Sequence, residues 1–273
     1  MTPRVSVVTT VYNGDPYFDR AVPGVLAQSF EDFEFILVDD GSTDQTLPRL
    51  QELARQDPRI RVFAPGRLGA ARAYNYGVEQ ARGAYVARQD FDDRSYPDRL
   101  RLQVALLDAR PQVGLVGGAY LLVDERRGER YVRIPPTDHP TIRAAMARHV
   151  PIAHTVATFR RQAWVEAGGY PLVENLIDLR FYLRVAKLGW QFANVPEVVG
   201  EHYVHDSSWF HQRHRYVERQ RDLARVQAQS VRELGLPRWM YLYALGRHIY
   251  AYVPPGWKRV LRRGAGRLQE RDQ

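Results

Sequence analysis

Residues 33–42 read FEFILVDDGS, a largely apolar run that ends in two acids, a glycine and a serine. A short apolar run bounded by turn residues predicts a buried β-strand. The same arrangement occurs upstream, where RVSVVTT (residues 4–10) leads into a turn at residues 12–15. It occurs again downstream, where AYVAR (residues 84–88) leads into QDFDD (residues 89–93). The sequence therefore predicts three strands that each end in a polar cluster.

Helical spacing separates these strands and predicts helices over residues 19–28, 43–54 and 70–81, with a further strand over residues 59–63. Ser42, followed three residues later by Gln45, resembles a helix-capping box. Strands that alternate with helices of about ten residues indicate βαβ units and a parallel sheet. Such sheets bind ligands beyond the carboxyl ends of their strands. We therefore expect the three polar clusters on one edge, as a nucleotide or metal site.

The rest of the chain continues the pattern of mixed elements. It predicts helices over residues 99–107, 141–148, 161–167 and 178–188, and strands over residues 113–120, 155–159 and 191–195. From Tyr216 onward the pattern is helical. We predict an α/β catalytic domain over residues 1–215 and a helical extension over residues 216–273.

Composition limits the classes of function. The chain has 273 residues and no cysteine, which excludes disulfides, thiol catalysis and cysteine-liganded zinc. The start lacks signal-peptide features, and charges break the apolar runs well before the ~18 residues of a spanning helix, so we expect a cytoplasmic protein. The net charge is +8, and nearly all cations are Arg. This charge indicates either attraction to an acidic partner or a solvated basic surface.

The cluster Asp90-Phe91-Asp92-Asp93 is the sharpest chemical feature. Adjacent carboxylates repel each other unless a cation neutralises them. Carboxylate oxygens with open positions suit Mg²⁺ or Mn²⁺ bridging a diphosphate. The alternative is a solvated loop, or a helix start near Pro97 where acids are favoured.

Asp39 and Asp40 are the second cluster of acids at a strand end. An acid in this place can accept hydrogen bonds from a nucleobase or a ribose hydroxyl; the alternative is a turn that leads into the next helix. No GxGxxG follows the first strand and no GxxxxGK[ST] occurs, which disfavours dinucleotide-binding and P-loop proteins.

Four segments resemble the family 2 inverting glycosyltransferases of the GT-A fold. They are VSVVTTVYNG (5–14), FEFILVDDGSTDQT (33–46), LGAARAYNYGVEQARGAYVARQDFDD (68–93) and FRRQAWVEAGGY (159–170). They follow the family's order and spacing, and the resemblance covers residues 4–205. It implies a Rossmann-like, mostly parallel sheet with flanking helices, here followed by the helical extension. It also implies transfer of a sugar from a nucleotide-diphosphate donor, a UDP-sugar first of all, to a hydroxyl of a saccharide or lipid-linked acceptor.

The resemblance also implies roles for particular residues. The donor-binding positions correspond to Thr10, Tyr12, Asp39, Asp40, Arg72 and Asp90. Asp92 corresponds to the acid that meets Mn²⁺ or Mg²⁺, and Asp93 is a neighbouring acid. His205, in a loop that closes over the donor, is assigned with Asp92 to the metal and phosphates. Asn75 and His154 lie near the donor and acceptor sides, and Asn75 could equally serve helix packing.

The catalytic base implied by the resemblance is Asp178, in IDLRFYLR (177–184). The family usually has Glu-Asp at this point, and Ile177 replaces the Glu here. Glu174, one helical turn earlier, is the alternative base. A base at Asp178 would take a proton from the acceptor hydroxyl as it attacks the anomeric carbon.

Three other classes remain as alternatives. A nucleotidyltransferase would need a glycine-rich phosphate loop near the N-terminus, which is missing. A non-catalytic nucleic-acid-binding protein would concentrate Arg and aromatic residues on one element, whereas the densest basic stretch is WKRVLRRGAGR (257–267). We therefore expect no nucleic-acid partner. A degenerate transferase-like binding module is conceivable because of Ile177 and Phe91.

The C-terminal extension combines Arg with several aromatic residues: Trp239, Tyr241, Tyr243, Tyr250, Tyr252 and Trp257. Trp and Tyr favour the water–lipid boundary and Arg attracts anionic headgroups, so the pattern suits peripheral membrane contact. The alternative is an aromatic face packed on the catalytic domain or on a second subunit, as in a homodimer.

Overall fold

The computed structural model describes residues 2–206 and 216–253. Its strands are β1 (Val5–Val11), β2 (Phe33–Asp39), β3 (Ile60–Phe63), β4 (Tyr85–Arg88), β5 (Arg94–Ser95), β6 (Val113–Asp124), β7 (Glu129–Arg133), β8 (Thr158–Arg160) and β9 (Gln191–Val204). Its helices are α1 (Phe18–Leu26), α2 (Thr46–Gln56), α3 (Ala70–Glu79), α4 (Arg99–Ala109), α5 (His139–Ala145), α6 (Arg161–Glu166), α7 (Ile177–Lys187), α8 (Tyr216–Glu233) and α9 (Tyr241–Tyr252).

The strands form one sheet in the order β3-β2-β1-β4-β8-β6-β9-β5, with β7 paired to β6. The first half is parallel, as expected: β1 lies between β2 and β4, and β3 flanks β2. In the second half β8 runs antiparallel to both β4 and β6. The sheet is thus parallel where the three polar clusters are, and mixed beyond β4. The predicted α/β class with flanking helices is confirmed.

Two local expectations differ from the structure. The strand predicted over residues 191–195 continues to Val204, with a register shift between its pairs Gly118–Val195 and Ala119–Val198. Pro196 lies in this shift, and because proline has no N–H to donate, it is accommodated by a bulge rather than by ending the strand. The predicted capping by Ser42 is wrong. Its hydroxyl accepts from the Asn13 N–H at 2.9 Å, and α2 begins only at Thr46.

Apolar side chains cover both faces of the sheet. Helices α1, α2 and α4 contribute to one buried cluster, and α3, α5, α6 and α7 to the other. The second cluster also includes Val226 and Val231 of α8, together with Met240 just before α9. The C-terminal helices therefore share a core with the sheet. The predicted domain boundary at residue 215 lies outside the described residues and stays a prediction.

Gly77 allows α3 to approach the centre of the sheet closely. A Cβ at this position would lie 2.7 Å from Val8 Cγ1 and 3.1 Å from Val38 Cγ2. Both valines belong to parallel strands that end at the polar edge. The close packing therefore helps to position Tyr74, one helical turn before Gly77, against the same edge.

We predict that Gly77→Ala lowers the free energy of unfolding by about 1–3 kcal/mol, because the added methyl group overpacks a filled core. Gly246→Ala is the matched control, since a Cβ there meets no atom within 4 Å. That control should raise stability by about 0.5–1 kcal/mol through its higher helix propensity. Urea denaturation of the two variants measures both effects. Equal stability of the two variants would contradict the close approach of α3.

Candidate active site

The three polar clusters meet at one edge of the sheet. The register pairs Val11 of β1 with Asp39 of β2, and Val8 of β1 with Arg88 of β4. Since these strands are parallel, their carboxyl ends face the same side. Residues 12–15, 39–42 and 90–93 follow those ends directly, as the sequence predicted.

The two acids after β2 are engaged by the backbone. Asp39 Oδ2 accepts from the N–H groups of Gly41 and Ser42 at 3.2 and 3.1 Å. These bonds form the turn that the sequence analysis gave as the alternative role of this acid. Asp40 accepts from the N–H groups of Leu68 and Gly69 at 2.6 and 3.0 Å. Both side chains are buried. Asp39 Oδ1 is buried with no hydrogen-bond partner among the described residues, so one oxygen of this pair has capacity for a ligand.

Tyr12 is half exposed beside these acids. The guanidinium of Arg67 lies 3.7 Å from the centre of the Tyr12 ring, and its Nη1 pairs with Asp40 Oδ2 at 2.5 Å. Thr10 is the last residue but one of β1, and its side chain interacts with Tyr74. Arg72 is exposed on α3, at the surface of the helix that follows this turn. The structure thus brings Thr10, Tyr12 and Asp40 to one place and leaves Arg72 at its margin.

A buried ion pair lies where β4 ends. Arg88 Nη2 donates to Asp90 Oδ1 at 2.8 Å, and the Tyr74 hydroxyl donates to the same oxygen at 2.8 Å. The Arg88 guanidinium lies 3.5 Å from the centre of the Tyr74 ring. Burial acts to raise the pKa of Asp90, but the Arg88 charge and the hydrogen bonds outweigh it and hold that pKa at about 2. Asp90 is therefore a fixed negative charge across the physiological pH range.

Asp178 lies in the field of the same ion pair. It is in the first turn of α7, and its Oδ1 accepts from the Leu179 N–H at 2.8 Å. Burial raises the pKa of Asp178, and the charge of Arg88 partly offsets the rise. Glu174, the alternative base, is exposed. A partly desolvated carboxylate with a raised pKa is better suited to take a proton than an exposed one.

Aromatic side chains line the space around Asp178. The hydroxyl of Tyr170 lies 3.1 Å from His154 Nε2, and Tyr182 packs against the His154 ring. Burial, reinforced by the charge of Arg88, holds the pKa of His154 well below its usual value, so this imidazole is neutral. The hydroxyl of Tyr182 and Nη1 of Arg88 are buried without hydrogen-bond partners among residues 2–206 and 216–253. Unpaired buried polar groups of this kind are typical of ligand sites.

Asp92 and His205 form the pair expected to meet a metal. Asp92 Oδ2 lies 2.9 Å from His205 Nε2, although 113 residues separate them. The other ring nitrogen, His205 Nδ1, lies 3.4 Å from the Tyr17 hydroxyl. No cluster of three or more His, Asp or Glu side chains able to hold a metal occurs in the described part of the chain. Within that part of the chain, Asp92 and His205 are the two metal-ligating side chains that the fold brings together here.

Asp93 differs from its neighbours because it is a structural acid. It is buried, with Oδ2 at 2.9 Å from His202 Nδ1 and Oδ1 accepting from the Tyr203 N–H at 2.7 Å. Burial acts to lower the pKa of His202, but the charge of Asp93 outweighs it and raises that pKa to about 9. Asp93 thus ties the loop after β4 to β9.

Asn75 has the packing role considered for it. Its side chain donates to the Tyr170 carbonyl at 2.9 Å and accepts from the Tyr170 N–H at 2.8 Å. This pair of bonds fastens α3 to the loop before α7. The sequence reasoning missed Arg88, Tyr74, Tyr170 and Tyr182. A detectable signal existed only for Arg88, a charged residue at the end of an otherwise apolar strand.

We predict that Arg88→Met lowers the free energy of unfolding by about 3–5 kcal/mol, because it leaves the Asp90 charge without its buried partner. Arg4→Met is the matched control. Arg4 pairs with Asp108 at 2.8 Å on the surface, so its loss should cost about 1 kcal/mol or less. Chemical denaturation at neutral pH measures both variants. A change for Arg88→Met as small as that for Arg4→Met would contradict the importance of the buried pair.

Comparison with known proteins agrees with this geometry. The family model described as glycosyl transferase family 2 matches residues 6–169, a range that includes the three strand-end clusters and ends before Asp178 and His205. EpsE of Bacillus subtilis is 34% identical over 260 residues, covering 92% of this chain and 90% of EpsE. The amylovoran biosynthesis glycosyltransferase AmsE of Erwinia amylovora is 29% identical over 197 residues, covering 71% of this chain and 74% of AmsE.

Solved structures share the fold. The mannosyltransferase PcManGT from Pyrobaculum calidifontis, in complex with GDP-Man and Mn²⁺, superposes with a TM-score of 0.66 at 22% identity, covering 97% of this chain and 80% of that one. S. aureus TarS 1-349 in complex with UDP-GlcNAc gives a TM-score of 0.64 at 18% identity, covering 92% and 82%. The family model spans more than half of this chain, and EpsE matches nearly all of it. This chain therefore belongs to glycosyl transferase family 2, with the GT-A fold.

Proposed function

We propose that this glycosyltransferase moves a sugar from a nucleoside-diphosphate donor, with UDP-sugars as the first candidates, to a hydroxyl group of a saccharide or lipid-linked acceptor, inverting the anomeric carbon. The observation that carries the proposal is the position of Asp178. Its carboxyl group lies in the electrostatic field of Arg88 and Asp90, at the edge where the strand-end acids meet. This proximity supports a single site in which Asp178 is the proton acceptor and the strand-end acids bind the donor and its metal.

The donor is assigned to the edge formed by β1, β2 and β4. Thr10, Tyr12, Asp39, Asp40, Arg72 and Asp90 are the proposed donor-binding residues. Tyr12 offers a half-exposed ring for stacking, and Asp39 Oδ1 is a buried acceptor without a partner among the described residues. A donor N–H or hydroxyl would satisfy that oxygen. Arg67 stacks on the Tyr12 ring and pairs with Asp40, so it adds a positive charge to the proposed donor site.

A divalent cation is proposed at Asp92 and His205. The Asp92 side chain is partly exposed and its oxygen faces the His205 ring nitrogen, so both can turn toward a common ligand. Carboxylate and phosphate oxygens favour Mg²⁺ or Mn²⁺. Such an ion, when bound, supplies positive charge to the departing diphosphate. PcManGT was solved with Mn²⁺, which supports a metal here without choosing between the two ions.

The protein's own contribution to the reaction is the base. Asp178 takes the proton of the acceptor hydroxyl while that oxygen attacks the anomeric carbon from the face opposite the nucleotide. Neutral His154 and the hydroxyls of Tyr170 and Tyr182 line the same space and would orient the acceptor sugar. AmsE carries the name of a polysaccharide pathway, which supports a polysaccharide or glycolipid acceptor for this chain.

We predict that Asp178→Asn lowers the rate of sugar transfer by about 10²–10⁴-fold, the usual contribution of a general base. The amide can still accept from the Leu179 N–H, so donor binding should be nearly unchanged. Glu174→Gln is the matched control, an exposed carboxyl that should be dispensable. Initial rates with a panel of UDP-sugars measure transfer, and NMR of the product tests inversion. If Glu174→Gln abolishes transfer and Asp178→Asn does not, the base is Glu174.

The pH dependence provides an independent check on the same carboxyl group. The base acts in its ionised form, and burial raises the pKa of Asp178 above its ordinary value. We therefore expect kcat/KM to fall as the pH drops through that raised pKa. A variant at Asp178 should lose this limb of the profile. Unchanged acid-limb behaviour in Asp178→Asn would assign the limb to another group.

We predict that UDP binds at least about tenfold more weakly in EDTA than in Mn²⁺ or Mg²⁺, because the ligating carboxylate and the diphosphate repel each other without the cation. Asp92→Asn should weaken binding in Mn²⁺ to a similar degree. Asp98→Asn makes the same chemical change at an exposed acid away from His205, and it should leave UDP binding in Mn²⁺ unchanged. Calorimetric titration measures UDP binding by the unaltered chain with metal and with EDTA, and by each of the two variants in Mn²⁺. Equal UDP affinity with metal and with EDTA would contradict the metal site.

A further inference from the structure

Helix α9 and the turn before it present an apolar stripe that is exposed among the described residues, which we define as Trp239, Leu242, Leu245, Ile249 and Tyr252. Each of these side chains is 54–65% exposed. From Leu242 onward they recur at intervals of three, four and three residues, which places them along one side of the helix. Large apolar side chains that are exposed together, and not singly, mark a surface that binds something.

The opposite side of α9 is firmly attached to the protein. Ala244 and Ala251 are buried. Arg247 donates to the side chains of Gln227 at 3.1 Å and Gln220 at 2.9 Å, both on α8, and to the Arg148 carbonyl at 3.1 Å. The orientation of α9 is therefore set by polar and apolar contacts, and the stripe points outward as a consequence.

The attachment extends to the proposed active site. Helix α8 packs on α7, and Asp222 of α8 accepts from the Asn175 side chain at 3.1 Å. Asn175 lies two residues before α7 begins and three residues before Asp178. A surface bound through α9 would thus be held at a fixed position relative to the acceptor side of the site.

The sequence that contains and follows the stripe carries charge of one sign. Residues 234–269 contain no Asp or Glu and have seven Lys or Arg, of which Arg238 and Arg247 lie within the described residues. Arg148, also exposed, places its guanidinium 5.1 Å from the ring centre of Tyr243, next to the stripe. A second copy of this chain would bring the same cations face to face, and the repulsion disfavours it as the occupant.

We propose that the α9 stripe docks this protein on an anionic membrane surface. Trp and Tyr favour the headgroup boundary, and Leu and Ile insert just beneath it. The exposed Arg148 and Arg238, and the basic composition of residues 234–269, attract anionic headgroups. No helix in residues 2–206 or 216–253 has the length and apolarity to cross a bilayer. Because the apolar residues of α9 form a stripe along one side, the helix would lie in the plane of the surface. The inference does not depend on the identity of the donor or of the base.

The test is sedimentation of the full-length chain with lipid vesicles. Vesicles of phosphatidylcholine alone are compared with vesicles that also contain phosphatidylglycerol, at about 0.01 M and about 1 M salt, where the Debye length falls from about 30 Å to about 3 Å. We expect binding to the anionic vesicles at low salt and release at high salt. No binding to anionic vesicles at low salt would overturn the proposal.

A matched pair of variants isolates the stripe. Leu242→Glu/Ile249→Glu should weaken vesicle binding at least about tenfold, because each change replaces an inserting apolar group with an acid that anionic lipid repels. The control Val165→Glu/Ile134→Glu adds the same charge at equally exposed apolar positions and should bind nearly as well as the unaltered chain. Circular dichroism melting of both variants confirms that they fold.

Two results would reassign the stripe. If the stripe variant and the control bind vesicles equally, docking occurs through cations elsewhere in the chain and the stripe has no part in it. If light scattering without lipid shows a dimer that the stripe variant converts to a monomer, the occupant is a second copy of the chain. Either result overturns the proposal, and neither affects the assignment of the active site.

Discussion

The positive charge of Arg88, enclosed at the end of β4, is the constraint around which the active site is organised. A buried guanidinium requires a neutralising partner, and Asp90 provides it at 2.8 Å. The Tyr74 ring lies against the same guanidinium and its hydroxyl bonds the same carboxylate. The field of Arg88 also reaches His154, which it helps to keep neutral, and Asp178, whose raised pKa it limits. One side chain thus influences the protonation of groups on both the proposed donor side and the proposed acceptor side.

The acids at the sheet edge fall into two groups that differ in their hydrogen-bond partners. Asp40 and Asp93 are buried and receive backbone N–H groups, so their charge stabilises the loops they hold. Asp92 is partly exposed and, within the part of the chain that the structure describes, its side chain pairs with His205, while Asp178 receives one backbone bond at a helix start. A carboxylate with unused acceptor capacity can serve a ligand, whereas one saturated by the backbone mainly fixes geometry. This difference supports Asp92 and Asp178 as the chemical acids of the proposed reaction.

The C-terminal helices connect this chemistry to the outside of the molecule. Val226 and Val231 of α8 belong to the same apolar cluster as α3 and α7, so the extension is built into the core. Its other side, on α9, exposes apolar residues among cations. The same helices that complete the core beneath α7 therefore also present the surface that we propose binds lipid.

The sequence by itself determined the presence of β1 to β4 and α1 to α3 and the parallel pairing of those strands, because apolar periodicity and turn residues are local signals. It also determined that three polar clusters share an edge, since parallel strands leave no other arrangement. The antiparallel β8, the length of β9 past Pro196 and the buried partners of Asp40 and Asp93 could not be read in this way. Each depends on pairing between residues far apart in the chain.

The same division applies to the candidate site. Asp92 and Asp178 were predicted from motifs, yet only tertiary packing brings His205 within 2.9 Å of Asp92 across 113 residues. Only packing encloses Arg88 with Tyr74, because the cost of burying a charge is visible only when the surroundings are known. The aromatic pattern of the tail was apparent in the sequence, but which side of α9 faces outward was decided by its contacts with α8. The secondary structure of this protein can thus be predicted from local sequence patterns, whereas the burial of a side chain and its hydrogen-bond or ion-pair partners are decided by tertiary packing.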